Sequence, residues 1–167
     1  MRKSWSVPLA LLVAGTVSVV AVAASGDDAL KPISLRLQAA GDAALAKGQA
    51  AGAIDSYEAA AAADPRNARA FVGMAHGYEA LGLPGKAVKF YREALALDPN
   101  DLGALEGQGK ALVARGAMAR ANLNLVRIRT LCKTDCSAAK RLEVAMATPV
   151  PVKAASAEPA KAPVAKN

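Results

Sequence analysis

A stretch of thirteen residues occurs twice in the chain and decides its fold. Residues 53–65 read AIDSYEAAAAADP and residues 87–99 read AVKFYREALALDP. Alanine, tyrosine, alanine and proline hold matching places, so the second stretch repeats the first 34 residues further along. A weaker copy at 121–133, ANLNLVRIRTLCK, keeps the apolar positions and has Lys133 where the proline would stand. A fixed period of this length indicates a repeated structural unit.

The pattern inside each unit predicts two helices. Upstream of each stretch, apolar residues recur at i, i+3, i+4 and i+7, which forms one buried stripe on a helix. Asp64–Pro65 and Asp98–Pro99 end the second helices, since proline cannot continue a helix. Glycine readily takes the left-handed conformation after a helix, and three glycines at one offset mark the ends of the first helices: Gly48, Gly82 and Gly116. A single helix pair leaves one face uncovered, so the copies must stack.

The composition agrees with an all-α fold. Hydrophobic residues make up 53% of the 167 residues and aromatic residues only 4%, so alanine supplies much of the apolar content. A β-sandwich or β-barrel would need many more β-branched and aromatic residues. The length allows one small domain.

The period and its landmark residues resemble the tetratricopeptide repeat (TPR). The resemblance covers residues 34–133 in three copies, 34–67, 68–101 and 102–133, with glycine, alanine, tyrosine and proline in register. It implies a right-handed superhelical array of three helix pairs. A short amphipathic segment at 137–147 is expected to form a C-terminal capping helix that covers the last apolar face.

The resemblance also implies a binding groove. TPR domains generally bind peptides or proteins on the concave face formed by the first helices of their units, and the positions that face the ligand transfer to this chain residue by residue. The groove residues expected here are Gln38, Asp42, Arg69, Val72, His76, Glu79, Glu106, Lys110 and Val113. Some TPR domains hold a C-terminal carboxylate with lysine, asparagine and arginine side chains. Four residues break that clamp here, so we do not expect binding of chaperone tails by that route: Gln38, Asp42, Gly73 and Gly107.

Small residues recur along the same face, and two interpretations stay open. Either they allow close packing of neighbouring helices, or they widen the groove for a bulky segment. The residues concerned are Ala39, Ala46, Gly73, Ala80, Gly107 and Ala114.

The first residues have the features of an export signal. Two basic residues at 2–3 precede an apolar run at 7–24, and the small-residue sequence AVA at 21–23 matches a cleavage site. We expect a signal peptide at 1–23 and a linker at 24–33, which would place the mature protein in the periplasm or outside the cell. The alternative is an uncleaved inner-membrane anchor that faces the periplasm, since the run is just long enough to span a bilayer.

Cys132 and Cys136 lie between the last repeat helix and the expected capping helix. In an oxidising compartment two such cysteines are expected to form a disulfide, which we interpret as a structural bond where the third copy lacks its proline. A redox or regulatory disulfide and a metal site are the alternatives, although the spacing differs from the C-x-x-C of redox proteins. The segment 148–167 is rich in proline, alanine and lysine and is expected to be a disordered tail.

The formal net charge of +7 is concentrated near the C-terminal end. Residues 34–101 carry a charge of −1, whereas residues 102–147 carry +5. Such a basic region can contact a membrane surface, a cell-wall polymer or an acidic protein. Nucleic acid is not expected as a partner, because no aromatic residues are interleaved to stack on bases.

The sequence contains no constellation of catalytic residues. The single histidine has no nucleophile placed beside it by a motif, and no fingerprint of a cofactor or a metal site is present. We therefore expect no enzyme, no cofactor and no bound metal. The chain is similar to small exported TPR proteins of Gram-negative bacteria, which implies an adaptor or scaffold for a protein or peptide partner in a cell-envelope assembly. The alternatives are a membrane-anchored assembly or maturation factor and a redox-regulated protein that uses Cys132 and Cys136.

Overall fold

The computed structural model describes residues 29–132 and 136–148, and these residues form seven α-helices. The helices are Pro32–Ala46 (α1), Ala50–Ala63 (α2), Ala68–Ala80 (α3), Pro84–Leu97 (α4), Leu102–Ala114 (α5), Met118–Leu131 (α6) and Ser137–Ala147 (α7). The two described ranges contain no β-strand, which confirms the predicted all-α class. The predicted signal peptide at 1–23, and the tail at 148–167 beyond its first residue, lie outside the described residues.

The helices pack as three consecutive pairs. α1 packs on α2, α3 on α4 and α5 on α6, and each pair packs on the next through α2 with α3 and α4 with α5. The first helices of the pairs also touch in turn, α1 with α3 and α3 with α5, so they share one continuous face. α7 packs against α5 and α6. It therefore occupies the place that the first helix of a further pair would take.

The helix ends follow the signals in the sequence. Glycines in the turns after α1, α3 and α5 have positive φ angles of 73°, 70° and 72°, the left-handed conformation that glycine takes at low cost: Gly48, Gly82 and Gly116. α2 and α4 end directly before Asp64 and Asp98, each of which precedes a proline. α1 begins at Pro32, two residues inside the predicted linker, because the fixed φ of proline suits the start of a helix.

Buried tyrosines join neighbouring helix pairs. The ring of Tyr57 on α2 is 1% exposed and lies against Gly41 of α1 and Gly73 of α3. A methyl group on Gly41 would stand 2.7 Å from this ring, and one on Gly73 would stand closer still. Tyr91 on α4 lies against Gly107 of α5 in the same way, so the glycines at 73 and 107 serve close helix packing. The other small residues of that face are exposed: Ala39, Ala46, Ala80 and Ala114.

α7 completes the core through Leu142. This side chain is fully buried and lies on Gly109 of α5, where a methyl group would stand 2.6 Å from it. Cys132 and Cys136 form a disulfide, with their Cα atoms 5.7 Å apart, that ties the end of α6 to the start of α7. No helix within residues 29–132 and 136–148 is long and apolar enough to cross a bilayer.

Candidate functional site

The first helices of the array border an open cavity of about 530 Å³. Five of the predicted groove residues line it together, from α1 and α3: Gln38, Asp42, Arg69, Val72 and His76. The lining is completed by Leu45, Ala46, Tyr57, Gly73 and Asp101. The other four predicted residues lie elsewhere on the domain.

Tyr57 connects the core to this cavity. Its hydroxyl donates a hydrogen bond to Oδ1 of Asp42 over 2.7 Å. Burial, and then the neighbouring carboxylate of Asp42, raise the pKa of Tyr57. The hydroxyl therefore stays protonated at neutral pH and holds the Asp42 side chain at the cavity.

His76 and Glu79 form a polar cluster with Tyr91. The Tyr91 hydroxyl lies 3.0 Å from Nδ1 of His76 and donates to Oε2 of Glu79 over 2.9 Å. Burial, and then the charge of Glu79, raise the pKa of Tyr91. The His76 ring stands edge-on to the Tyr91 ring, with 5.6 Å between centroids, while half of its side chain is exposed. Oε2 of Glu79 also lies 3.2 Å from Nδ1 of His76, so Glu79 contacts His76 directly and does not itself line the cavity.

Glu106 belongs to an ion-paired cluster that joins α5 to α7. Nε and Nη2 of Arg141 donate to its two carboxylate oxygens over 2.8 and 2.6 Å, and Nζ of Lys110 donates to Oε1 over 2.5 Å. Burial would raise the pKa of Glu106, but the hydrogen bonds from Arg141 and Lys110 outweigh burial and lower it. Glu106 is 6% exposed, and both of its carboxylate oxygens accept hydrogen bonds from Arg141 and Lys110.

The two remaining predicted groove residues differ in their surroundings. Val113 is buried in the hydrophobic core, where it serves packing. Lys110 lines a second cavity of about 440 Å³ at the other end of the array, which it shares with Lys140, Arg141, Val144 and Ala145.

Part of the predicted basic surface is neutralised inside the domain. Arg141 pairs with Glu106, and Nη2 of Arg129 donates to Oε1 of Glu143 over 2.9 Å. Across the described part of the chain, no three His, Cys, Asp or Glu side chains lie close enough together to hold a metal ion. The site offers ion pairs, hydrogen bonds and apolar contacts to a ligand.

Comparison with known families matches residues 44–108, from the end of α1 into α5, to the family described as tetratricopeptide repeat. Residues 44–108 are similar to tetratricopeptide repeats. Solved TPR domains have the same fold, which confirms the predicted TPR-like array. The Sgt2 TPR domain from Aspergillus fumigatus is 28% identical with a TM-score of 0.64, over 70% of this chain and 79% of that one.

Two further TPR structures are similar in fold and contain peptides. The second TPR domain of human RPAP3, in complex with the HSP70 peptide SGPTIEEVD, is 22% identical with a TM-score of 0.62, over 67% of this chain and 93% of that one. The second TPR of Spaghetti (RPAP3), bound to the HSP90 peptide SRMEEVD, is 23% identical with a TM-score of 0.59, over 60% of this chain and 94% of that one. No curated protein matches the chain significantly.

Three residues that line the two cavities are not among the predicted groove residues: Tyr57, Asp101 and Arg141. Tyr57 is expected only as a core residue, yet its hydroxyl reaches the cavity. Asp101 could have been predicted from its position as the N-cap residue of α5. Its Oδ1 accepts hydrogen bonds from the backbone amides of Gly103 and Ala104, which hold the Asp101 side chain at the edge of the cavity. The position of Arg141 could have been predicted from the period. Arg141 lies 34 residues after Gly107, so the next unit along the array places it near Glu106, the neighbour of Gly107.

Proposed function

We propose that this TPR domain is a noncatalytic adaptor that binds a peptide segment of a protein partner in the 530 Å³ cavity. The observation that carries the proposal is the convergence of polar and apolar side chains from consecutive first helices on one open cavity. A cavity with an apolar lining and a few convergent polar groups is typical of binding sites. The RPAP3 domains solved with HSP70 and HSP90 peptides support a peptide as the class of ligand.

We do not extend those particular peptides to this chain. Some TPR domains hold such terminal carboxylates with several lysine, asparagine and arginine side chains, whereas α1 places Gln38 and Asp42 at this cavity and α3 adds a single arginine, Arg69. The carboxylate of Asp42 would repel a terminal carboxylate. The partner segment is therefore of a different kind.

We further propose that the adaptor acts outside the cytoplasm, in a cell-envelope assembly. Two features support this location: the export signal expected at 1–23, and the bridged pair Cys132 and Cys136, a bond that persists in oxidising compartments. Retention of the N-terminal segment as an anchor would keep the same groove function at the membrane.

A pair of variants tests the groove function by capture of partners from the envelope fraction after crosslinking. Val72→Arg places a large cation in the cavity, and we expect it to abolish capture of the partners that the unmodified protein retains. Arg127→Glu changes an exposed residue on α6 that does not line the cavity. We expect this variant to leave partner capture unchanged. Both variants must first show the helicity of the unmodified protein by circular dichroism. If Val72→Arg keeps the partners and Arg127→Glu loses them, binding occurs at the basic end and the groove proposal is wrong.

A further inference from the structure

The outer surface of α6 carries an exposed apolar stripe. Leu123 is 68% exposed and Val126 is 51% exposed. Ala119 and Thr130 are exposed as well and extend the stripe, because the four positions follow the spacing of one helix face. The Thr130 hydroxyl donates to the backbone carbonyl of Val126 over 3.0 Å, so the helix itself satisfies this polar group. We call these four residues the α6 stripe.

The stripe departs from the other two units at positions that the repeat makes equivalent. In the 34-residue register, the places of Leu123 and Val126 are charged and exposed on α2 and α4: Asp55, Glu58, Lys89 and Arg92. Single exposed apolar residues are common on protein surfaces and need no explanation. Replacement of both charged positions of one unit by exposed apolar residues instead indicates a surface that contacts another molecule.

Two arginines border the stripe on one side. Arg120 and Arg127 stand three residues before and four residues after Leu123, so the three side chains are neighbours along the helix. Both arginines are exposed, and neither forms an ion pair or a side-chain hydrogen bond with any described residue. Their guanidinium groups are therefore available to an anion, which such a group binds through two parallel N–H donors.

The carboxylates at this end of the domain are already paired. From residue 102 onward, the described part of the chain contains two acidic residues, Glu106 and Glu143. Glu106 is buried in its pair with Arg141, and Glu143 accepts a hydrogen bond from Arg129. Neither of them is a free carboxylate that would repel an anionic partner of the α6 stripe.

The placement of the stripe favours a lipid surface over a protein partner. No residue of α6 lines either of the two cavities, so the stripe stands on the outside of the domain and not in a recess. The acyl boundary of a membrane accepts exposed apolar side chains without a preformed pocket, while arginines keep their charged heads at the lipid phosphates. A second copy of this face would bring arginine against arginine, which disfavours self-association through it.

We propose that the α6 stripe binds an anionic phospholipid surface, with Leu123 and Val126 at the acyl boundary and Arg120 and Arg127 on the lipid phosphates. The stripe shares no residue with the 530 Å³ cavity, so this inference goes beyond the proposed peptide binding and does not depend on it. A domain attached in this way keeps its groove, formed by the first helices, free for a peptide.

Cosedimentation with lipid vesicles tests the inference on the protein purified from the envelope. Vesicles of phosphatidylcholine with phosphatidylglycerol are compared with vesicles of phosphatidylcholine alone. We expect binding to the anionic vesicles to be at least about tenfold tighter, since each of two arginines near an anionic surface contributes about fivefold. Higher salt should reduce this preference.

Two variants with matched controls on α4 separate the apolar contribution from the electrostatic one. A double variant, Leu123→Gln with Val126→Gln, should weaken binding to anionic vesicles by about tenfold, whereas Leu97→Gln, at another exposed leucine, should not. Arg120→Gln should weaken binding by about fivefold, whereas Arg92→Gln, at a highly exposed arginine, should not. Every variant must first show the helicity of the unmodified protein.

A tryptophan at position 123 reports contact with lipid directly. The single tryptophan of the chain is Trp5, within the expected signal peptide, so Leu123→Trp gives the processed chain a unique probe. Its emission should move to shorter wavelength when anionic vesicles are added, because the indole ring enters a less polar environment. The emission of Leu97→Trp should not move.

Three outcomes would overturn the inference. Equal binding to both kinds of vesicle, unchanged in the double variant, would assign attachment to the N-terminal segment. Binding to anionic vesicles that requires Arg120 but neither Leu123 nor Val126 would be adsorption by charge alone. Binding of soluble polyglutamate without binding of vesicles would assign the α6 stripe to an acidic protein.

These outcomes are distinguishable from failure of the groove proposal. The vesicle assay contains no protein partner, so its result does not bear on the groove, which the capture experiment with Val72→Arg decides. Arg127→Glu links the two experiments, because it should weaken binding to anionic vesicles while it leaves partner capture unchanged.

Discussion

Replacement of Gly73 by alanine should destabilise the domain, although alanine is the better helix former. Gly73 lies inside α3, and its Cα faces the ring of Tyr57 from the preceding pair. A methyl group at this position would overlap the ring. The ring cannot retreat, because Gly41 borders its path on α1 and the Asp42 carboxylate holds its hydroxyl.

The magnitude follows from two opposing effects. Alanine favours a helix over glycine by about 1 kcal/mol. Overpacking of a rigid core costs about 1–3 kcal/mol, and the upper part of this range applies because the Tyr57 ring is held on both sides. We therefore expect a net loss of about 1–2 kcal/mol in the free energy of unfolding, or a fall in Tm of about 4–8 °C for a domain of this size.

Thermal unfolding followed by circular dichroism measures this effect against a matched control. Gly52 lies inside α2, where a methyl group would meet nothing within 4 Å. Gly52→Ala should therefore raise the free energy of unfolding by about 0.5–1 kcal/mol. In a Tyr57→Leu background, which removes the ring, Gly73→Ala should lose its penalty. If Gly73→Ala raises Tm as Gly52→Ala does, the tyrosine does not fill the space between the helices and the packing argument is wrong.

Three further predictions concern other parts of the chain. Replacement of Cys132 and Cys136 by serine should cost about 2 kcal/mol of stability, since the bond closes a short loop, and should leave partner capture unchanged; loss of capture with intact helicity would favour the redox-regulated alternative. Because the pKa of Glu106 is lowered in the folded state, this group stabilises the fold fully above its usual value of 4.5 and progressively less as pH falls below it. Glu106→Gln should therefore flatten the acid side of a stability–pH curve, and a curve parallel to that of the unmodified protein would contradict the ion-pair assignment. Intact-mass measurement of the envelope-extracted protein should give a chain that starts at Ala24, whereas a full-length mass after salt washing would indicate the anchored form.

Much of the helix arrangement was predictable because its signals are local. The turn glycines require a positive φ, and the Asp–Pro pairs after α2 and α4 forbid continuation of those helices. The start of α1 was less predictable, since Pro32 reads equally as part of a linker and as the first residue of a helix. The period then determines which helices must be neighbours.

The sequence predicted the residues that α1 and α3 bring to the cavity, but not the surroundings of the predicted residues on α5. Residues such as Asp42 and His76 meet at the cavity because α1 and α3 are true repeats in register. Glu106 holds an equivalent position in α5, but Arg141 from α7 occupies its carboxylate. The period alone gives this proximity only if α7 is treated as the start of a further unit rather than as a cap. The repeat spacing thus accounts for the proximity of Arg141 to Glu106, whereas the ion pair between them depends on the chemistry of the two side chains.

Site-specific photocrosslinking tests the claim that the concave groove holds the partner most directly. A photoreactive residue replaces Arg69, which lines the cavity, or Arg92, a highly exposed arginine on α4. We predict that position 69 crosslinks a protein partner in the intact envelope and that position 92 does not, with equal amounts of folded protein in both cases. Crosslinks from position 92 together with none from position 69 would place the partner on the opposite face and contradict the groove.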